Sequence, residues 1–293
     1  MIDLHLHSFV SDGDLSPSEI VRKAKQNGIS TLSLTDHDSI SGIAEAQLAC
    51  KQLGIRFIPG VELEAATDIS RSRYIHILGY NFNNSNILNE YLTKLREERI
   101  YIIMEYVKVL RTLGIYTSYE EISSITSGLH ITAYHIPMFL HQNGYYESFS
   151  QAKKDFINPS GKYYIPRNFY DVDFIINLIL KAGGIPVLAH PCRLPQKNEA
   201  LDSYVAELTS KGLLGIETFY PEQCNEDVIF YKSLAQKYGL LQTAGSDWHS
   251  EKSQIPCLSE TYEGYKRQLH LFVQQSFLPL LHQIIAPDQT QQM

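Results

Sequence analysis

Histidines and carboxylates recur in this chain where short apolar runs end. His5, His7, His37, His190, Asp247 and His249 each lie within or directly after a strand-like run, Glu62 follows another shortly, and His76 sits inside a further one. Side chains alternate along an extended strand, so His5 shares a face with His7, and Asp247 with His249. Two such pairs aimed at one place make a multidentate site. Imidazole mixed with carboxylate suits Zn, Mn or Fe, whereas oxygen ligands alone would suit Mg or Ca. No cysteine belongs to the set, which argues against a closed structural zinc. Two or more such cations about 3.5 to 4 Å apart can clamp the attacking and leaving oxygens of a phosphoester and lower the pKa of a bound water toward neutrality. The expected chemistry is hydrolysis of a phosphate ester by a metal-bound hydroxide, without a protein nucleophile.

The elements that must position these groups are legible between them. From residue 2 to about 80, short apolar runs alternate with amphipathic stretches, the rhythm of βα units. Ser16-Pro17-Ser18-Glu19 opens a helix with a serine cap, proline at the first helical position and glutamate placed for a capping box, and Gly28 stops it. The run 29–35 reads as a strand ending on Asp36-His37-Asp38, 43–53 as a helix closed by Gly54, 55–58 as a strand leading to Gly60-Val61-Glu62, and 74–80 as a strand. In a barrel of such units, residues at the C-terminal strand ends converge on one mouth. Between about 87 and 160 the pattern turns helical: a long stretch over 87–113, a new start at Ser118 and Glu121, then 131–142 and 149–156. We expect this insertion to cover the mouth and select substrate. The turn Asn158-Pro159-Ser160-Gly161 returns the chain to alternation: helix 171–182, strand 185–189 delivering His190-Pro191, strand 213–219, helix 225–238, and strand 240–244 delivering Gly245-Ser246-Asp247-Trp248-His249. The expected organisation is a barrel in two parts, 1–86 and 161–250, an insertion over 87–160, and a C-terminal extension over 251–293 in which only 265–285 reads as helical.

Composition narrows the partners. The 293 residues are 44% hydrophobic, an ordinary globular share that allows one large core. A formal net charge of -7 argues against a general grip on a nucleic-acid backbone, which needs a basic face, though not against a local basic pocket. Cys50, Cys192, Cys224 and Cys257 form no CxxC pair, so neither a zinc ribbon nor a disulfide framework is indicated. With no secretory leader and no run of about 18 apolar residues, a cytoplasmic location without membrane contact is expected.

Taken together, His5-Leu6-His7, Ser11-Asp12-Gly13, Thr35-Asp36-His37-Asp38, Gly60-Val61-Glu62, His76, Ala189-His190-Pro191 and Gly245-Ser246-Asp247-Trp248-His249 resemble the PHP (polymerase and histidinol phosphatase) family. The resemblance implies an α/β fold, a distorted (β/α)7 TIM-like barrel with the mostly helical insertion, and two or three divalent metal ions, Mn, Zn or Fe. It implies His5, His7, Glu62 and Asp247 around a first metal, Asp12, His37 and His249 around a second, and Glu62, His76 and His190 around a third, with Glu62 bridging. Glu62, Asp247 and His190 would hold the hydroxide. The insertion resembles that of a bacterial branch acting on 3',5'-nucleoside bisphosphates and trimming short RNAs from the 5' end. His130 and Tyr164-Ile165-Pro166 stand where that branch has similar residues, but Gly128 stands where it usually has an arginine.

Arg167 and Arg193, close to Pro166 and His190, are candidate phosphate contacts through bidentate hydrogen bonds. Tyr163, Tyr164 and Phe169 offer faces to a base or to packing. The general acid is open among His130, His249 and a metal-bound water. Asp36 and Asp38 are candidate partners of His37, and His135, His141, His270 and His282 are read as structural or surface residues. The expected substrate is a small phosphomonoester, a nucleotide above all. An exonuclease on short RNA or DNA ends is the alternative, separable by activity on an oligonucleotide against a mononucleotide. A non-catalytic metal-stabilised binding module is the alternative of another class, and its mark would be lost ligands.

Overall fold

A computed structural model describes residues 1–67, 74–125, 131–167, 170–194 and 199–250. Seven strands follow one another around the sheet in chain order: β1 (Ile2–Asp3), β2 (Thr31–Leu34), β3 (Arg56–Ala66), β4 (Tyr74–Tyr80), β5 (Ile185–Leu188), β6 (Gly215–Phe219) and β7 (Leu241–Ala244). β1, β2 and β3 run parallel, as do β5, β6 and β7. β4 is antiparallel to both of its neighbours. Beyond the named strands, Leu4 N donates to Ala244 O (3.0 Å), Asp247 N to His5 O (2.8 Å) and His7 N to Trp248 O (3.1 Å), so the continuations of β1 and β7 pair and nearly close the barrel.

Helices α1 (Pro17–Gln26) and α2 (Ile43–Leu53) cover the first strands, and α7 (Val172–Lys181), α8 (Glu199–Ser210) and α9 (Asn225–Tyr238) the last. The capping box of α1 forms: Ser16 Oγ accepts from Glu19 N and the Glu19 carboxylate accepts from Ser16 N. Such a cap stabilises a helix by about 1 kcal/mol. The alternation of strand side chains separates two apolar layers. Leu78, Tyr80, Ile185 and Val187 join Ile2, Leu4 and Ile58 in one cluster, whereas Ile77 and Leu188 of the same strands pack with Ile175, Ile176 and Ile179 of α7. The first layer fills the barrel below the mouth.

The remaining helices are α3 (Ser85–Thr112), α4 (Tyr119–Ser123), α5 (His135–Gln142) and α6 (Phe149–Phe156). α3 is shared between two cores. Leu88, Tyr91, Leu92 and Leu95 pack into the barrel's outer layer, while Ile103, Tyr106 and Leu110 join Ile136, Phe139, Leu140 and Phe156 in a separate cluster. The helical segment therefore carries its own core on a spine rooted in the barrel. α8 is a helix that the sequence pattern did not single out. The segment 251–293, with its helical stretch 265–285, lies outside the described residues.

Candidate metal centre

The parallel strands bring their C-terminal ends to one mouth, and the loops there carry His5, His7, His37, His190, Asp247 and His249. Glu62 instead lies within β3, which runs past the end of β2 and bridges to His37. His76 is the third residue of β4. It reaches the same mouth because β4 is antiparallel, so its start is at the end where its neighbours finish. The backbone is strained at this rim: of the four described non-glycine residues with positive φ, three belong to these motifs, Asp38 (45°), His190 (26°) and Asp247 (54°). Such conformations persist only where surrounding contacts impose them.

Glu62 stands at the centre, fully buried. Its Oε2 lies 3.0 Å from His5 Nε2, 3.1 Å from His7 Nε2 and 3.2 Å from His37 Nδ1. Its Oε1 lies 2.8 Å from His76 Nδ1 and 3.0 Å from His190 Nε2. One carboxylate thus faces two groups of imidazoles with different oxygens. Asp247 Oδ1 lies 3.3 Å from His5 Nε2 and 3.0 Å from His7 Nε2. Asp12 Oδ2 lies 3.4 Å from His249 Nε2 and 3.8 Å from His37 Nε2. Potential ligand atoms gather within 4.8 Å of one another in three sets: His5, His7, Glu62 and Asp247; His7, Asp12, His37 and His249; and His37, Glu62 and His76.

These residues fit divalent cations. His7 Nδ1 and Nε2 and Asp247 Oδ1 are buried yet make no hydrogen bond, despite the short separations just given. They point at shared space rather than along one another's lone pairs, and buried polar atoms are rarely left so. The charge distribution agrees. Burial alone would raise the Glu62 carboxyl, but the imidazoles of His5, His37 and His76 hold it well below the usual carboxylate range. Burial likewise opposes the low value of Asp247, which His5 and His7 impose. Burial disfavours a charged His7, yet the adjacent Asp247 and Glu62 carboxylates push it up to about 10. Burial draws His37 down to about 4. The buried acids of this cluster thus demand positive charge, which divalent cations would supply.

A second layer orients the first. Glu217, fully buried, has Oε1 at 3.1 Å from His5 Nδ1, and Oε2 accepts from His190 N at 2.7 Å. With Nδ1–H donated to Glu217, the Nε2 lone pair of His5 faces the centre, the arrangement by which a carboxylate fixes a ligating histidine. His249 Nδ1 similarly lies 2.8 Å from Asp247 O, which leaves Nε2 toward Asp12. Tyr220 Oη donates to Asp247 Oδ2 at 3.1 Å, turning Oδ1 inward. Asp3 accepts from Ser246 N and Oγ and from His5 N; burial pushes its carboxyl up to about 6 while those bonds pull it back. Gly245 is needed for this closeness, since a Cβ there would lie 2.1 Å from His5 Cβ. Glu217, Tyr220 and Asp3 were not singled out from sequence. For Glu217 a signal existed: it is a lone carboxylate inside the apolar run 213–219.

The other candidates are placed as follows. Asp36 accepts from Ser8 N, Ser8 Oγ and Ser11 Oγ, each at 2.7 Å, and so fixes the loop after β1. Asp38 pairs with the Arg99 guanidinium. Neither belongs to the gathered sets. Arg193 stands at the rim, with Nη1 at 3.1 Å from Asp247 Oδ2 and Nε and Nη2 at 3.3 Å from the Glu222 carboxylate. Arg167 forms a two-pronged pair with Glu64, at 2.8 and 3.2 Å. Tyr163 packs against Phe156, ring centroids 5.0 Å apart, in the core of the helical segment rather than offering a face to a base. His135 bonds within its own turn to Thr132, and His141 is exposed. His130, Gly128, Phe169, His270 and His282 lie outside the described residues. The helical segment is on the mouth side: Ile131 borders the same cleft as Val10 and Asp38, and while burial lowers the His135 imidazole, the Thr132 backbone and the nearby Asp12 carboxylate pull it back up.

Comparison with known proteins places this centre in context. The PHP domain model matches residues 3–182. The chain is 32% identical to a 5'-3' exoribonuclease of Haemophilus influenzae, over 87% of this chain and 90% of that protein. It is 28% identical to a 3',5'-nucleoside bisphosphate phosphatase of Chromobacterium violaceum, over 85% and 87%. Among solved structures, a Bifidobacterium adolescentis protein assigned to the metal-dependent phosphoesterases superposes with a TM-score of 0.72 at 25% identity, covering 92% of this chain and 95% of that one.

Proposed function

Because this chain belongs to the PHP domain family of metal-dependent phosphoesterases, we propose that it removes a phosphate from a small nucleotide, a 3',5'-nucleoside bisphosphate above all, using two or three Mn, Zn or Fe ions. The observation that carries the reading is Glu62, whose two carboxylate oxygens face separate groups of imidazoles within 3.2 Å. His5, His7 and Asp247 would complete one metal, Asp12, His37 and His249 a second, and His76 and His190 a third shared through Glu62. Cations held there supply a nucleophile at neutral pH and neutralise charge on the transferring group.

The chain's own groups do the rest. Arg193 already points Nη1 into the rim beside Asp247, and exchanging Glu222 for a phosphoryl oxygen would give it a charge-assisted hydrogen bond to substrate. Arg167 holds Glu64 at 2.8 and 3.2 Å, a tighter pair than the more exposed one of Arg193 with Glu222 at 3.3 Å, so the phosphate contact is proposed first for Arg193 and second for Arg167. Glu217 and Tyr220 keep His5 and Asp247 aimed inward. A net charge of -7 favours a small substrate over long nucleic-acid contacts. Trimming of short RNA from the 5' end is the second reading, favoured by the 32% identity to the Haemophilus influenzae exoribonuclease.

The test is turnover of a panel by protein loaded separately with Mn, Zn and Fe, comprising an aryl phosphate, adenosine 3',5'-bisphosphate and a 5'-phosphorylated short oligoribonucleotide. We expect phosphate release fastest from the bisphosphate. A faster oligonucleotide would give the second reading precedence, and turnover of none with any metal would reject both.

A further inference from the structure

We infer that the face of the helical segment built on Tyr134 and Lys153 is a landing surface for short single-stranded RNA, carrying the nucleotides that follow the one at the metals; this rests on the RNA-trimming reading above. A line of rings leads outward to it. The His76 imidazole is stacked on the Tyr74 ring, centroids 5.6 Å apart and planes 17° from parallel. Burial raises the Tyr74 hydroxyl most and Glu64 next, and Tyr134 adds to the shift, so the two tyrosines are neighbours. Tyr134 in turn meets the Phe149 ring edge to face at 5.2 Å, and Lys153 Nζ stands 5.1 Å from the centre of the Tyr134 ring. After burial and the Thr132 backbone, Asp12 acts on the adjacent His135, so this face borders the mouth from a second direction.

Charge and exposure define the occupant. The chain carries a formal charge of -7, yet over 131–167 the basic Lys153, Lys154, Lys162 and Arg167 outnumber the acidic Glu147 and Asp155. A stretch of opposite sign beside the mouth attracts a polyanion that the rest of the surface repels. Arg99, Arg167 and Arg193 are already engaged by carboxylates, whereas Lys153 and Lys154 meet none among the described residues. Tyr134 is 41% exposed, so its ring is open to a planar partner. Bases of any identity stack on such rings while ammonium groups beside them follow the phosphates. A duplex keeps its bases stacked on one another and has no free face for Tyr134; an unpaired strand does. Tyr134 and Lys153 stand one ring further out than Tyr74, which touches a metal-facing imidazole. Tyr74 is thus the ring nearer a terminal nucleotide, and Tyr134 with Lys153 the pair its successor reaches.

The test uses the metal-loaded full chain and reads one ratio: kcat/KM for a 5'-phosphorylated tetraribonucleotide over kcat/KM for adenosine 3',5'-bisphosphate. Tyr134→Ala should lower the ratio about five- to tenfold, the low end of what one stacked base contributes. Tyr134→Phe should keep it, because the ring stacks without its hydroxyl. Lys153→Glu should lower it as well, and Lys153→Ala should flatten the dependence of log kcat/KM for the oligonucleotide on log salt by about 0.7, the share of one single-strand phosphate. Lys51→Glu makes the same charge change in the exposed last turn of α2 and should shift the ratio far less, since salt screens a charge that makes no contact. With the oligonucleotide turned over by the wild type, an unchanged ratio in Tyr134→Ala overturns the inference, as does a shift in Lys153→Glu no larger than in Lys51→Glu; the RNA-trimming reading then stands. A wild-type chain that hydrolyses the bisphosphate but not the oligonucleotide rejects that reading, and the inference with it.

Discussion

Replacing Glu217 by glutamine tests whether the layer behind the metal ligands sets their geometry. Both partners of the carboxylate are donors: His5 Nδ1–H at 3.1 Å from Oε1, and His190 N–H at 2.7 Å from Oε2. A carboxamide has one acceptor oxygen and one NH2, so in either orientation a donor faces a donor. If the NH2 turns to His5, the ring must adopt the other tautomer, with its proton on Nε2 aimed at Glu62 and Asp247, where a cation needs the lone pair. If it turns to His190, the bond that holds that residue at φ 26° is lost and the strained backbone can relax. An unsatisfied buried donor costs about 1 to 3 kcal/mol. Loss of an orienting partner lowers metal affinity by about 10- to 100-fold, which converts to about 1.4 to 2.7 kcal/mol, so the two estimates agree. The assay is metal retention against a graded chelator, followed by turnover with metal in excess. We expect Glu217→Gln to release metal at 10- to 100-fold lower chelator strength and to recover rate when metal is added. Wild-type affinity together with wild-type rate would refute the orienting role. Wild-type affinity with a lost rate would place Glu217 in the reaction itself.

The remaining predictions concern charge and architecture. Glu62→Gln should abolish binding of more than one metal, because an amide nitrogen cannot replace an oxygen ligand; full metal content by elemental analysis would contradict the bridge. Asp38→Asn should keep its metal and lose stability by about 1.5 to 3 kcal/mol in denaturant unfolding, since it removes one of the two carboxylates, Asp38 and Glu64, that face the buried Arg99; metal loss with unchanged stability would mean that Asp38 serves the metals instead. His5, His7 and His76 are all raised against the opposition of burial, by Glu62 in the first and last and by the adjacent Asp247 and Glu62 carboxylates in His7, whereas burial lowers His37 and His190. Cation binding at neutral pH should therefore release protons from the first three, and apparent affinity should weaken as pH falls; titration in weak buffer with no acid release would reject this sharing. Excision of 87–160 should unfold the chain, because it removes Leu88, Tyr91, Leu92 and Leu95 from the barrel's outer layer, while excision of 104–162 should leave metal bound and impair selectivity. Equal outcomes in circular dichroism would deny that α3 belongs to both cores.

Much of this centre is local in origin. Ser16, Pro17 and Glu19 form a cap from within four residues of chain, and the run 185–189 leads straight into His190, so residue type beside apolar period was enough to name groups that gather at the mouth. The direction of β4 was not available in that way. The run 74–80 reads as a strand in either orientation, and only its pairing with β3 and β5 brings His76 to the mouth from its first turn of chain rather than its last. Partner choice lay further out of reach. Glu217 meets His5 across 212 residues, and Arg99 meets Asp38 across 61. Such contacts depend on barrel closure and on where α3 lies along the sheet, and neither leaves a period in the sequence. The same holds for Arg167: its charge was plain, but its pairing with Glu64 at 2.8 Å, 103 residues away along the chain, was set by packing. Sequence fixes which groups a chain can offer, because chemistry and local hydrogen bonding belong to residues and their near neighbours; the tertiary structure decides which of those groups are already satisfied, because that is set by distances between segments remote along the chain.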